Sequence, residues 1–236
     1  MNRALYAAAS GMAAQQLNLE TIAQNLANAD VAGFKGSAMS FEDIAAGAQP
    51  LGVQSVGTHT LWKQGKLARS DGAFDLALDG PGFFRVTDDR GRHAFTRNGS
   101  FARGADGMLR TTQGCRLDGV RVPADALSVT VSEDGVVAAT TAKGTRTCGH
   151  IRVAFFHAPE RLRAEGGTLF YATSASGLPA SAAQTKIKFG MLEQSNVSII
   201  EAMMQIMSAQ RAYEANAKGV QAADEMMRIA DNLQRG

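Results

Sequence analysis

Apolar residues recur every seventh position at both ends of the chain, and they alternate with polar ones in much of the stretch between. At the N-terminus Leu5, Met12, Leu19 and Leu26 form one row, and Ala8, Gln15, Ile22 and Ala29 form a second row three positions on. Seven residues are close to two helical turns, so such rows share one face of a helix. At the C-terminus Ile199, Ile206, Tyr213, Val220 and Met227 repeat the period, with Ala202, Ala209, Ala223 and Ala230 alongside. Ser198 followed by Glu201 reads as a capping box that starts this second helix. Glu214 and Lys218 stand at the favourable i, i+4 spacing for an ion pair. The other faces of the N-terminal arm are Ala, Gln, Asn and Thr, and five of the ten methionines lie in the C-terminal arm. Small uncharged faces and adaptable thioethers suit burial among neighbouring helices better than free solvation.

The middle follows a different rule. All five prolines, 22 of the 25 glycines and 13 of the 15 aromatic residues fall between Gly33 and Gly190. Glycine and proline punctuate turns and interrupt helices, so this region is expected to be β-rich. "GFFRVTDDRGRHAFTRNGSF" reads as a hairpin about Asp88-Asp89-Arg90-Gly91, and "SVTVSEDGVVAAT" as another about Glu133-Asp134-Gly135. "FDLALDG", "GHIRVAFF" and "TLFYAT" add further strands. The expected fold is α+β: terminal helices paired as a coiled coil, with a central all-β domain of short hairpins. Residues 1–32 and 197–236 make a discontinuous helical core domain, 33–52 a connecting segment, 53–190 a β-rich outer domain and 191–196 a return linker.

Charge and chemistry narrow the function classes. A net charge of +2 with 19% charged residues provides no clustered basic face for nucleic acid. Arg161-Leu162-Arg163 comes nearest and reads as a solvated loop. No apolar stretch of about 18 residues is present, so no helix is expected to insert in a membrane. Gln15, Gln16, Asn18 and Glu20 interrupt the N-terminus before any apolar core forms, which does not fit a cleavable signal peptide. Cys115 and Cys148 match no metal spacing, and an oxidising compartment would permit them to pair. His59, His93, His150 and His157 have no helical i, i+4 partner, and no Cys stands at ligand spacing from them. No nucleotide-binding, zinc-protease or serine-hydrolase motif occurs, so the reading carries no cofactor, no metal and no catalytic residues.

Two long segments carry a family resemblance. "SGMAAQQLNLETIAQNLANADVAGFK" resembles the N-terminal signature of the bacterial flagellar axial proteins, the rod and hook family. "GMLEQSNVSIIEAMMQIMSAQRAYEANAKGVQAADEMM" is similar to that family's C-terminal signature. Between them "DLALDGPGFFRV", "AFTRNGSF", "DGMLRTTQG" and "VPADALSVTVSEDGVV" resemble, in order, the β-domain of distal rod subunits. The resemblance implies a structural subunit of the basal-body rod, a drive shaft that carries torque from motor to hook. It implies copies of the chain, other axial proteins and the flagellar type III export apparatus as partners, and a place in the rod across the periplasm. It further implies that Leu5, Met12, Leu19, Ile22, Leu26, Ile199, Met203, Ile206, Tyr213, Val220 and Met227 carry the packing between subunits. Asn25, Asn28, Gly33, Phe34 and Lys35 would form the turn from helix to shell. Physically, Asn28 tolerates the left-handed backbone that ends a helix, Gly33 permits a sharp exit, and Phe34 can anchor the turn.

One departure stands out. After Phe41-Glu42-Asp43, where distal relatives commonly carry an insert, only "IAAGAQPL" intervenes before the expected first strand. A proximal rod subunit of the same family is therefore the alternative. From another class, the alternative is a soluble monomeric binding module whose two helices close on their own β-domain.

Overall fold

A computed structural model describes residues 3–46, 49–182 and 184–235. The chain divides into two compact units: residues 1–29, 36–61 and 197–236 form one, and residues 30–35 and 62–196 form the other.

The first unit holds both helices. Helix α1 spans Arg3–Ala27 and α2 spans Ile199–Arg235, as the seven-residue period predicts. Ser198 Oγ accepts the Glu201 amide at 3.4 Å, which is the N-cap half of the expected box. The two helices pack side by side. Ala8 lies opposite Gly219, and Gly11 lies opposite Asn216, so residue numbers fall on one helix as they rise on the other. The pair is antiparallel.

The same unit contains an element that the sequence reading placed otherwise. Residues 33–52 were expected to connect and the first strand to begin at 53. Instead β1 (Ser37–Ala46) and β2 (Gln49–Thr60) form a long antiparallel hairpin, from Ser37 opposite Thr60 onwards. Register shifts fall between Ser40 and Phe41 and between Ile44 and Ala45. These bulges break the period-2 alternation on which strand recognition rests. The hairpin packs against α1, where Ser10 Oγ accepts the Val53 amide at 3.2 Å. A Cβ at Gly52 would lie 2.3 Å from that same hydroxyl, which would have to turn away and give up its bond to Val53.

The second unit is built on an antiparallel sheet whose main path has eight described strands. Their order is Ala126–Val131, Val136–Thr141, Gly144–His150, Arg116–Arg121, Phe83–Thr87, His93–Thr96, Leu169–Tyr171 and Arg163–Ala164. Both expected hairpins are present. At the first, Asp88 Oδ1 accepts the amides of Arg90 and Arg92 at 2.9 and 2.8 Å, while Gly91 takes φ +77°. Phe83 and Phe84 are adjacent and both buried, so they point to opposite faces of the sheet. Phe84 joins Leu76, Val86, Leu117 and Ile151 in one core, and Phe83 joins Phe95, Phe156 and Phe170 in a second. Cys115 and Cys148 are free thiols, Cys115 buried and Cys148 half-buried.

Two short ladders close this unit on itself. Leu76–Asp79 pairs with Lys186–Phe189, and Leu67–Arg69 pairs with Met191–Glu193. The stretch 191–196, read as a return linker, therefore begins as a strand. Its three paired residues are too few for a periodic signal, and the partner lies far away in sequence.

Candidate functional site

The helical unit presents a seam and an uncovered face. Within the chain the seam of α2 is its alanine row: Ala202, Ala209 and Ala223 are buried. Asn216 occupies the same row and meets α1 at Gly11. On α1 the buried residues, among those whose side chains are described, are Ala14, Thr21 and Ile22. Small side chains at the contact let two helix axes approach closely.

The larger expected packing residues lie beside this seam. Leu5, Met12, Leu19, Leu26, Ile206 and Val220 are half-buried, whereas Ile199, Met203, Tyr213 and Met227 are exposed. Ile200, Met204 and Met207 are exposed with them, Ile200 at 73%. Ile200, Met203, Met204 and Met207 follow the i, i+3, i+4, i+7 spacing of a single helix face. Beyond them Met226, Ile229 and Leu233 are also exposed, on a part of α2 that runs past Arg3, the first described residue of α1. Periodicity found both helices, but the exposed Ile200, Met204 and Met207 were missed because they stand outside the seven-residue row. The expected Glu214–Lys218 contact is not among the ion pairs of the described residues, and Arg228 pairs with Glu225 instead at 3.1 Å.

Asn25 ends α1 by an unanticipated device. Its carboxamide donates to Ser37 O at 2.7 Å and accepts the Ser37 amide at 2.8 Å. The side chain thereby mimics one residue of a neighbouring strand at the start of β1. Asn28 was expected to take the left-handed backbone at the helix end, and it does not: no non-glycine residue among those described has positive φ. Asn28 instead donates from its side chain to Gln24 O at 2.8 Å, and its amide bonds Asn25 O at 3.1 Å. A tight last turn already satisfies the terminal carbonyls, so no left-handed residue is needed.

Gly33, Phe34 and Lys35 belong to the β-rich unit, and all three are buried. Gly33 has φ +68° as expected, and its amide donates to the Glu193 carbonyl at 2.7 Å. Lys35 Nζ donates to Lys63 O at 2.9 Å and to Glu193 Oε1 at 2.5 Å. The other Glu193 oxygen accepts Arg97 Nη1 at 3.1 Å, and the Gly65 amide adds a bond to Oε1 at 2.9 Å. Arg97 Nη2 in turn donates to Gly80 O at 2.7 Å. Glu193 is fully buried, with one carboxylate between two cations. Burial pushes the Lys35 ammonium below its usual range, against the opposing pull of Glu193; Arg97 is lowered for the same reason. Neither Arg97 nor Glu193 was singled out from sequence, since no local pattern links positions 35, 97 and 193.

This arrangement ties distant segments of the one chain together. No three His, Cys, Asp or Glu side chains among the described residues come together as a metal-ligand set. No described helix is long and apolar enough to cross a membrane.

Comparison with known proteins agrees with this organisation. Residues 5–35 match the family model described as "Flagella basal body rod protein". Residues 77–139 match "Flagellar hook protein FlgE/F/G D1 domain", and 189–233 match "Flagellar basal body rod FlgEFG protein C-terminal". The flagellar basal-body rod protein FlgG of Borreliella burgdorferi is 38% identical over 264 residues, covering 100% of both chains. FlgG of Caulobacter vibrioides is 35% identical, with 98% of this chain and 99% of that one covered. FlgF of the same organism is 30% identical, covering 98% and 97%. The matched signatures cover both terminal helices, the turn after α1 and the centre of the β-rich unit, and the chain belongs to the flagellar basal-body rod proteins.

Proposed function

We propose that the exposed apolar face of α2 is covered by other copies of this chain, which assemble into the distal part of the rod. The observation that carries this reading is the run Ile200, Met203, Met204 and Met207, each more than half exposed although the alanine seam of the same helix is closed. Contiguous apolar surface of this kind marks an interaction site on a soluble protein. In the assembled rod the half-buried row from Leu5 to Leu26 and the row from Ile199 to Met227 complete their burial, and the helices wind as a coiled coil. The subunit transmits torque through packing and needs no catalysis. It reaches its place through the flagellar type III export apparatus and joins other axial proteins there. The FlgG relatives favour a distal over a proximal position, since the FlgF match is weaker.

A closed monomeric module would also pair α1 with α2 inside one chain, as observed. It would leave the Ile200–Met207 face in water, which argues against it. The deciding experiment uses the full chain with Met203→Glu and Met207→Glu together. Sedimentation and negative-stain microscopy should show loss of assembly while the thermal transition of the β-rich unit is retained. Assembly by this double variant at wild-type concentration would refute the interface.

A further inference from the structure

Three arginines on separate strands of the β-rich unit line one concavity of about 430 Å³: Arg103, Arg121 and Arg146. Arg103 ends Phe101–Arg103, Arg121 ends Arg116–Arg121, and Arg146 lies within Gly144–His150. None of the three has a carboxylate within 4 Å among the described residues, although nine other Lys and Arg side chains of the protein do. The acid in the lining, Asp106, is already held by Arg110 at 2.9 Å and by the Met108 amide at 3.1 Å. That amide and then Arg110 draw its carboxyl below the usual range, so it stays committed to them.

Two of the guanidiniums are anchored in a revealing way. Arg103 Nε donates to Val122 O at 3.3 Å, and Arg121 Nε donates to Asp106 O at 3.0 Å. Each bond uses the inner nitrogen against a backbone carbonyl. The outer Nη pairs of both remain without a protein acceptor among the described residues. A guanidinium fixed by its Nε and open at both Nη atoms is a preformed fork for an oxyanion. The carbonyls are themselves fixed: the Val122 amide bonds Gly107 O at 2.7 Å, and Gly107 takes φ +78° in the turn that carries Asp106.

We propose that this concavity binds a diphosphate group. A lone carboxylate has two oxygens and one charge, and it would leave most of the three cations uncompensated. A diphosphate presents several terminal oxygens and more than one negative charge, which matches three guanidiniums lining one concavity, two of them held as forks. The volume lies within the range of small-molecule sites, roughly 300–1,000 Å³, and exceeds what a bare halide needs. The small lining residues Ala105, Pro123 and Ala124 leave room for the group that carries the phosphates. This inference is independent of the rod reading, because no residue of the helical unit takes part.

The test is isothermal titration of the full chain with sodium pyrophosphate at low ionic strength, against sodium chloride at matched ionic strength. Saturable binding of pyrophosphate alone is expected, and R121Q with R146Q should weaken it by about tenfold or more. Arg121→Lys with Arg146→Lys keeps the charge but loses the fork, and should retain only part of the affinity. Arg163→Gln, on a distant strand, should leave binding unchanged. Sedimentation with phosphatidylcholine vesicles carrying a polyprenyl diphosphate separates the sources. Binding to vesicles through the same arginines assigns a lipid headgroup, and pyrophosphate binding without it assigns a soluble diphosphate. Equal, unsaturable responses to pyrophosphate and chloride, or full binding by R121Q/R146Q, would overturn the proposal.

Discussion

Lys35 Nζ and Glu193 Oε1 lie 2.5 Å apart although 158 residues separate them, and both side chains are buried. Arg97 completes the cluster from the other carboxylate oxygen. The segment that enters the β-rich unit is thus tied by charge to the segment that leaves it. Two buried cations share one anion, and each gives a further hydrogen bond to a backbone carbonyl, that of Lys63 or Gly80. Such clusters add little net stability compared with apolar packing, but they are costly to leave half-made.

Glu193→Gln should therefore destabilise the β-rich unit by about 3–5 kcal/mol, because both cations lose their charged partner in a dry site. Urea unfolding followed by tryptophan fluorescence reads this directly, since Trp62 packs on Phe83 and Phe170 in that unit. A midpoint equal to that of the unmodified chain would mean that water already reaches the cluster.

Gly33→Ala tests the turn itself. A Cβ there would stand 2.3 Å from the Arg97 carbonyl carbon and the Asn98 nitrogen, which are backbone atoms that cannot swing aside. The left-handed φ of +68° adds about 1–2 kcal/mol for any residue with a Cβ. Denaturant titration should show at least that loss, and Gly91→Ala, at a φ of +77° with open space around it, should show the backbone cost alone.

Asn25→Ala should release the start of β1 from the end of α1. Two hydrogen bonds vanish, each worth about 0.5–1.5 kcal/mol net. Hydrogen exchange at the Ser37 amide should accelerate markedly while amides in the middle of α1 keep their protection. Unchanged exchange at Ser37 would show that the carboxamide contact does not persist in solution.

Enlarging the alanine seam should separate the helices. Ala209 is buried between α1 and α2, so Ala209→Leu overpacks the contact at a cost of about 1–3 kcal/mol. Ala222→Leu, one position from the seam and exposed, is the matched control and should be tolerated. Helical circular dichroism on heating distinguishes the two, with an early loss of signal expected only for Ala209→Leu.

Acid should weaken one surface contact in a defined window. Glu133 bonds Lys186 at 2.8 Å and Lys188 at 2.5 Å, and these hydrogen bonds lower its pKa from 4.5 to about 2. A depressed carboxylate pKa contributes stability above the unfolded value, and that contribution is lost as pH falls from 4.5 to about 2. Glu133→Gln should flatten this part of the stability profile. The contact is solvent-exposed, so high salt should flatten it as well.

The sequence by itself determined the elements whose signals are local. Rows seven apart specify α1 and α2, Ser198 starts α2, and Asp88 with Gly91 turns the first hairpin of the β-rich unit. In each case the residues that carry the information are within a few positions of one another, so neighbours along the chain are neighbours in space. Tertiary structure alone decided three things. It chose the alanine row of α2 as the seam and left Ile199, Met203 and Tyr213 outside, a choice set by how closely α1 can approach. It made a hairpin of 37–60, whose bulges hide its alternation and whose support comes from α1. It brought Lys35, Arg97 and Glu193 together, because a buried charge must find its partner wherever the fold supplies one, and no spacing in the sequence records that need.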